Sequence, residues 1–314
     1  MAVYFLNMKM FGRAGGSSAV SAVAYRAGER IRDERTGKAY DHSGRLDVVH
    51  KEIVLPVRFA DDELAWARDR SSLWNAAENA ETRKNARVAR EYLVALPVEL
   101  SPPQRLELIR GFSQELSNRY SFAVDFAIHA PRDFPGSDPR NFHAHLLATT
   151  REVKVEGLGA KTTLDMNDAS RRKLGLQPAI SELLYVRAQW AIFTNEALQK
   201  AHIAARVDHR SLEAQGIDRE PRPQIPRAAF EMERQGYRSV VAERMREEYQ
   251  MRVEARLESA AGQEVSGAKG QSLEDIRREA RENWLRLRQS QGLGHAEPAP
   301  SAAVDRVHDD DFTR

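Results

Sequence analysis

The chain has 314 residues, a formal net charge of +2 at neutral pH, 41% hydrophobic residues and no cysteine. That length and apolar content support one large domain or a domain with an appendage, and exclude a chain disordered throughout. The lack of thiols excludes disulfides and cysteine nucleophiles and leaves any metal to histidine and carboxylate, while the near-neutral total charge by itself does not establish nucleic-acid binding.

In chain order, residues 2–10 read as a strand, and the glycine- and serine-rich stretch 12–18 as a turn into a serine-capped helix. The apolar start reaches Lys9 too soon for a signal-peptide core, and no stretch is long and apolar enough to cross a bilayer. A cytoplasmic protein without membrane insertion is therefore expected. The helix, 19–30, carries small residues ahead of Tyr25, with Arg26 beside it. Small neighbours would let a bulky polymer approach the phenol. Residues 40–44 have turn composition, 48–55 reads as a strand stopped by Pro56, and a broken helix follows from 61 or 62 to 83, with Leu64, Trp66 and Trp74 on its apolar faces. Residues 88–96 read as a strand carrying Glu91. Ser101-Pro102-Pro103-Gln104 is a capping-box start with proline in the first turn, followed by the helical stripe Leu106, Ile109, Phe112 and Leu116.

Two histidine-bearing strands come next. Large apolar residues at 122, 124, 126 and 128 alternate with smaller or polar ones, and His129 ends that run on the face opposite the phenylalanines. In Asn141-Phe142-His143-Ala144-His145-Leu146 the two histidines share one strand face. An antiparallel hairpin across 130–140 sets His129 opposite His143 and Ala127 opposite His145, so that three imidazoles share one side. Three histidines with an open coordination position suit a catalytic rather than a closed structural metal site. Beyond them, 156–163 reads as a loop and 180–201 as a helix. Arg83, Lys84, Arg87 and Arg90 form one basic cluster; Arg171, Arg172 and Lys173 form another, readable equally as a solvated helix start or as phosphate contacts.

The mixed order of strands and helices predicts an α/β sandwich with a largely antiparallel central sheet flanked by helices, over residues 1–220. Pro221, Pro223 and Pro226 mark a boundary. A helical extension is expected over 221–288, one helix bearing Val241, Met245, Tyr249, Val253 and Leu257 and a second Leu273, Ile276, Ala280, Trp284 and Leu287. Residues 289–314 read as a disordered tail.

In several ordered segments the chain resembles the MobA/MobL (MobQ-type) plasmid mobilisation relaxases of the HUH endonuclease superfamily. The resemblance runs over residues 1–225 and rests on the small-residue helix with Tyr25, Arg90-Glu91-Tyr92-Leu93-Val94-Ala95-Leu96-Pro97, His129, Asn141-Phe142-His143-Ala144-His145-Leu146, Gly157-Leu158-Gly159-Ala160-Lys161 and Asp208-His209-Arg210-Ser211-Leu212. It implies Tyr25 as nucleophile, His129, His143 and His145 as ligands of a divalent ion, Mg or Mn, and Glu91 as an acidic helper. It further implies nicking of single-stranded and hairpin DNA at a plasmid origin of transfer through a 5′-phosphotyrosyl intermediate, rejoining of the strand, accessory mobilisation proteins, a secretion coupling protein, and transfer of the protein with the DNA to the recipient cell. No Gly-x-x-x-x-Gly-Lys-Ser/Thr phosphate loop occurs, so unwinding is expected to fall to another protein.

Two other readings stay open at this level. A rolling-circle replication initiator or transposase would carry its nucleophile after the histidines, at Tyr185. A non-enzymatic DNA-binding protein would use the histidines for a structural metal. Tyr40 competes with Tyr25 as a second nucleophile, and Glu91 reads equally as a surface carboxylate paired with Arg87 or Arg90.

Overall fold

The computed structural model describes residues 2–16, 18–60, 62–132, 138–264 and 282. The chain divides into two compact units, Met1–His209 and Arg210–Arg314. In the first, strand β1 (Leu6–Gly12) leads into helix α1 (Ala19–Ala27), a small hairpin of β2 (Arg30–Arg32) and β3 (Ala39–Asp41), and strand β4 (Val48–Val54). Helices α2 (Ala65–Arg68) and α3 (Arg70–Asn79) precede β5 (Arg87–Ala95), and α4 (Pro102–Tyr120) precedes β6 (Val124–His129) and β7 (His143–Thr149). A second hairpin, β8 (Arg151–Lys154) and β9 (Gly157–Lys161), is followed by α5 (Asp168–Lys173) and α6 (Ala179–Lys200).

Five strands form one sheet in the order β1-β5-β7-β6-β4, and each neighbouring pair is antiparallel. This is the predicted α/β sandwich with a largely antiparallel central sheet flanked by helices. Side chains alternate across it, so its two faces build separate cores. On one face Tyr92, Val94, Phe126, Ile128, Ala144 and Leu146 are buried in a common core with Ile109, Phe112 and Leu116 of α4 and Val186 and Trp190 of α6. Phe112 and Trp190 pack at a tilt with ring centroids 5.0 Å apart. Gly111 lets α6 lie close on α4, since a Cβ there would sit 3.2 Å from the Phe193 ring. Gln104 Oε1 accepts from the Ser101 backbone N–H at 2.8 Å and from its hydroxyl at 2.9 Å, which starts α4 where the capping motif predicts.

The other face is covered by α1 and α3, which bury Ala19, Val20, Val23, Ala24, Leu73 and Trp74 with Ala89 and Leu147 of the sheet. Asp125 is buried among them and accepts from Arg70 at 2.8 and 2.9 Å and from the Trp74 indole at 2.9 Å. Burial raises its pKa against the pull of Arg70.

Three boundaries differ from expectation. Helix α1 stops at Ala27 rather than reaching residue 30, because Gly28 adopts φ +59° and the Glu29 N–H bonds back to the Ala24 carbonyl at 3.0 Å. The chain then pairs with itself as β2 and β3. Residues 157–161, expected as loop, form β9; a two-stranded ribbon with weakly buried faces leaves no apolar alternation to read. The predicted proline boundary at 221–226 falls inside the second unit.

That unit contains α7 (Arg227–Arg234) and α8 (Val240–Glu264), tied by Arg246, whose two terminal nitrogens donate to Glu233 at 2.6 Å each. Helix α8 carries the predicted stripe, although Val241 and Leu257 are exposed. The predicted helix through Leu273 to Leu287, apart from residue 282, and the tail from 289 lie outside the described residues. Among the described residues no helix is long and apolar enough to cross a membrane.

Truncating Phe112 to Ala should cost about 3–5 kcal/mol of stability, because it empties the centre of the α4/α6 core. Urea unfolding measures this, with exposed Met251→Ala as the comparison, expected to change stability by less than about 0.5 kcal/mol.

Candidate metal centre and nucleophile

Strands β6 and β7 pair with His129 opposite His143 and Ala127 opposite His145. Strand β5 adds Leu93 opposite His145 and Glu91 opposite Leu147. The three histidines and Glu91 therefore project from one face of the sheet. The ring centroids stand 4.8, 5.2 and 5.3 Å apart, and one ligand atom from each residue lies within 4.8 Å of the others. All three imidazoles are buried.

Each ring sets one nitrogen against a carbonyl or carboxylate oxygen, and the other His129 nitrogen, Nδ1, lies 3.4 Å from Arg45 Nη2. His145 Nδ1 donates to Glu91 Oε1 at 2.7 Å, His143 Nδ1 to the Asn141 carbonyl at 3.1 Å, and His129 Nε2 to the Arg26 carbonyl at 2.8 Å. A carbonyl or carboxylate oxygen only accepts, so these bonds assign the ring protons. They leave Nε2 of His143, Nε2 of His145 and Nδ1 of His129 as lone-pair nitrogens. Burial drives the His129 pKa down, with the neighbouring histidines adding to the effect. Burial likewise lowers His145 to about 4, against the pull of Glu91. Glu91 is opposed by burial too, yet the Arg26 guanidinium and the His145 hydrogen bond hold its carboxyl far below the ordinary range. Carboxylate and guanidinium neutralise each other, and the imidazole beside them stays neutral. Neutral imidazoles tethered through their second nitrogen are what a divalent metal requires of its ligands, and this set fits one. Nitrogen donors suit manganese or zinc better than magnesium.

Helix α1 brings the tyrosine to this edge. Ser18 caps it, accepting from the Ser21 N–H at 3.4 Å and donating to Asp33 at 2.8 Å. The small residues before Tyr25 do not open a path for a polymer: Ala19, Val20, Ala22, Val23 and Ala24 are buried in the core. They let the helix lie close on the sheet. Tyr25 is half-buried, with the His42 ring edge-on at 5.2 Å and the Arg45 guanidinium 4.0 Å from its centroid.

Arg26 was visible in the sequence only as a neighbour of Tyr25, and the fold joins it to the histidine cluster twice. Its carbonyl holds His129, and its buried guanidinium pairs with both oxygens of Glu91. Glu91 is accordingly not a surface carboxylate, and Arg87 and Arg90 are not its partners. Arg90 lies on the opposite face of the sheet and pairs with Asp165 at 2.7 Å.

The competing residues lie elsewhere. The Tyr185 hydroxyl donates to Glu115 at 2.8 Å, and the residue packs against the α4/α6 core on the far side of the sheet from the histidines. Tyr40 packs against the α1/α3 core, where burial and Asp33 raise its phenol pKa. Arg171 is fully buried and donates to the Gln177 and Thr163 carbonyls and to Glu182, which excludes both a solvated helix start and a phosphate contact for that residue.

The depressed imidazoles set the direction of a pH effect. A histidine whose folded pKa lies below its unfolded value of about 6.5 contributes stability that is complete above that pH and lost as pH falls toward the folded value. Metal-free protein should therefore lose about 1.4 kcal/mol per pH unit for each such imidazole as acidification proceeds from about 6.5 toward 4. Urea midpoints at pH 7 and pH 5 measure it; equal midpoints would contradict neutral buried histidines.

Known proteins resemble this chain over most of its length. The model of the MobA/MobL family matches residues 17–235. The mobilization protein MobL of Acidithiobacillus ferridurans is 32% identical over 293 residues, covering 87% of this chain and 74% of that protein. The probable mobilization protein MobA of Bifidobacterium longum is 33% identical over 75% of this chain, but this chain spans only 45% of it. A 43 kDa relaxation protein of Salmonella typhimurium is 34% identical over 70% of this chain and 57% of its own length. Among solved structures, one from work on vancomycin-resistance transfer in Staphylococcus aureus superposes with a TM-score of 0.53 at 29% identity, covering 67% of this chain and all of that one. The match over most of the chain, with the mobilization proteins it resembles, establishes that the chain belongs to the MobA/MobL family.

Proposed function

We propose that this protein is a conjugative relaxase that nicks and later rejoins one strand of plasmid DNA at an origin of transfer, with Tyr25 as nucleophile and His129, His143 and His145 as ligands of a divalent metal. The observation that carries the reading is the joint between helix and sheet: the residue after Tyr25 holds His129 through its carbonyl and reaches His145 through Glu91.

A bound divalent ion would neutralise charge on the scissile phosphate and polarise it toward attack. The chain's own residues do the rest. The Tyr25 oxygen forms a bond to phosphorus as the bond to the 3′ oxygen breaks, giving a 5′-phosphotyrosyl enzyme and a free 3′-hydroxyl. The phenol proton leaves to solvent, which reaches the half-exposed ring, and the departing 3′ oxygen takes up a proton. The covalent bond conserves the phosphodiester energy, so a 3′-hydroxyl can reverse the step without ATP. Both Glu91 oxygens are engaged by Arg26 and one also by His145, which supports an orienting role for this carboxylate rather than that of a base for the phenol. DNA with a hairpin and adjacent single strand is the proposed substrate. Accessory mobilisation proteins and a secretion coupling protein are proposed partners, in the cytoplasm of the donor and then in the recipient.

Incubation with single-stranded origin DNA and Mn²⁺, followed by mapping of the nucleotide-bearing peptide, tests this directly. Tyr25→Phe should abolish the adduct, by about 10³-fold or more, while DNA binding persists. Loss of the adduct with Tyr185→Phe instead would transfer the assignment to a replication initiator. Chelation should suppress nicking by the wild-type protein, with recovery on adding Mn²⁺; persistence of full activity after chelation would refute the metal role.

A further inference from the structure

Between β3 and β4 the chain runs His42-Ser43-Gly44-Arg45-Leu46-Asp47, and nothing in its sequence marks it as part of the site. In the fold it lies against the end of α1. Gly28 makes that possible, since a Cβ there would meet Val48 at 3.2 Å, Arg45 at 3.4 Å and the His42 carbonyl at 3.6 Å, at a positive φ that already disfavours a side chain. The loop is anchored at both ends. The His42 N–H donates to the Glu29 carbonyl at 3.1 Å, and the Asp47 carbonyl accepts from the N–H of Ala130 at 2.8 Å, one residue beyond His129.

Arg45 spans this gap. Its guanidinium carbon stands 4.0 Å from the Tyr25 ring centroid, and Nη1 donates to the Tyr25 carbonyl at 3.3 Å. Asp47 fixes the fork through Nε at 2.9 Å and through Nη2, both side chains being about nine-tenths buried. Nη2 also lies 3.4 Å from His129 Nδ1. Arg132 reaches the same Asp47 carboxylate at 2.9 Å. His42 stands edge-on to the ring from the same loop, and the guanidinium of the adjacent Arg26 is committed to Glu91 on the sheet.

We propose that Arg45 is a positioning residue for Tyr25: one guanidinium, held by Asp47, packs on the phenol ring, fixes its orientation and places a permanent cation on its face. The inference rests on the transesterase reading of Tyr25. A cation over the ring favours the phenolate over the phenol, and the Asp47 fork denies the guanidinium other orientations. Arginine is required in both respects. Lysine would keep a charge near the ring and lose the fork; glutamine would keep a planar hydrogen-bonding head and lose the charge.

Two measurements on the full-length protein test the proposal. In the first, without metal or DNA, ¹³Cζ-tyrosine NMR follows the Tyr25 phenol through its titration, with Tyr25→Phe assigning the resonance. Arg45→Gln should move the Tyr25 midpoint up by about one pH unit and Arg45→Lys by less, with the other tyrosine resonances unchanged. In the second, single-turnover adduct formation is timed between pH 6.5 and 9.5 with origin oligonucleotide in excess. Arg45→Gln should be about tenfold slower at neutral pH and approach the wild-type rate as pH rises, with DNA affinity within about threefold. An unmoved Tyr25 midpoint in Arg45→Gln overturns the proposal. So does a rate deficit that is constant with pH, or one matched by an equal loss of DNA affinity. A wild-type protein that forms no adduct defeats the transesterase reading alone, since the NMR measurement still decides whether Arg45 holds the ring.

Discussion

The register of β6 on β7 is the constraint from which the site follows. His129 opposes His143 and Ala127 opposes His145, so a slip of one residue would turn His129 to the opposite face and replace it with Ile128. The register is held from the other side. Phe126, Ile128, Ala144 and Leu146 belong to the core under α4 and α6, and a one-residue slip would turn one strand's set of them out of that core. The core on one face thus specifies the geometry of the polar groups on the other.

Burying three imidazoles beside charged groups creates an electrostatic problem that Arg26 resolves. Glu91 beside His145 would draw a proton onto the imidazole if it were the only charge nearby, since a hydrogen-bonded carboxylate stabilises imidazolium. The Arg26 guanidinium lies against that carboxylate and offsets it, so burial prevails and His145 stays neutral. The same residue's carbonyl orients His129. Because Arg26 follows Tyr25 directly in α1, the ring orientations of His129 and His145 and the location of the tyrosine are tied to one short stretch of helix, whose small residues let it pack closely on the sheet.

Much of this was legible beforehand, where a local pattern carried it. Alternation in 122–129 and the His143-Ala144-His145 spacing displayed the shared face, and Ser101-Pro102-Pro103-Gln104 marked the start of α4. What escaped were features with no local signature. Strands β2, β3 and β9 are short and weakly buried, so their residues need not alternate. Arg90 and Arg171 read as members of basic clusters, yet each is buried against partners that no local pattern marks, Asp165 in one case and Glu182 and two carbonyls in the other. The run of small residues in α1 was visible but carried the wrong meaning, because a helix that packs closely and a helix that admits a substrate share the same composition.

By itself, the sequence determined which chemistry was available: no thiols, two histidines on one strand face with a third in reach, and a tyrosine ahead of them in the chain. Period-two alternation is a local property, so it survives without knowledge of the fold. Tertiary structure decided which charged groups meet. Arg26 with Glu91, Glu91 with His145, and Arg45 with Tyr25, Asp47 and His129 join residues from different elements, and only sheet order and helix packing bring those elements together. Proton locations and charge states depend on these meetings, because burial and neighbouring charge set a pKa, and neither is written in any single segment of the chain.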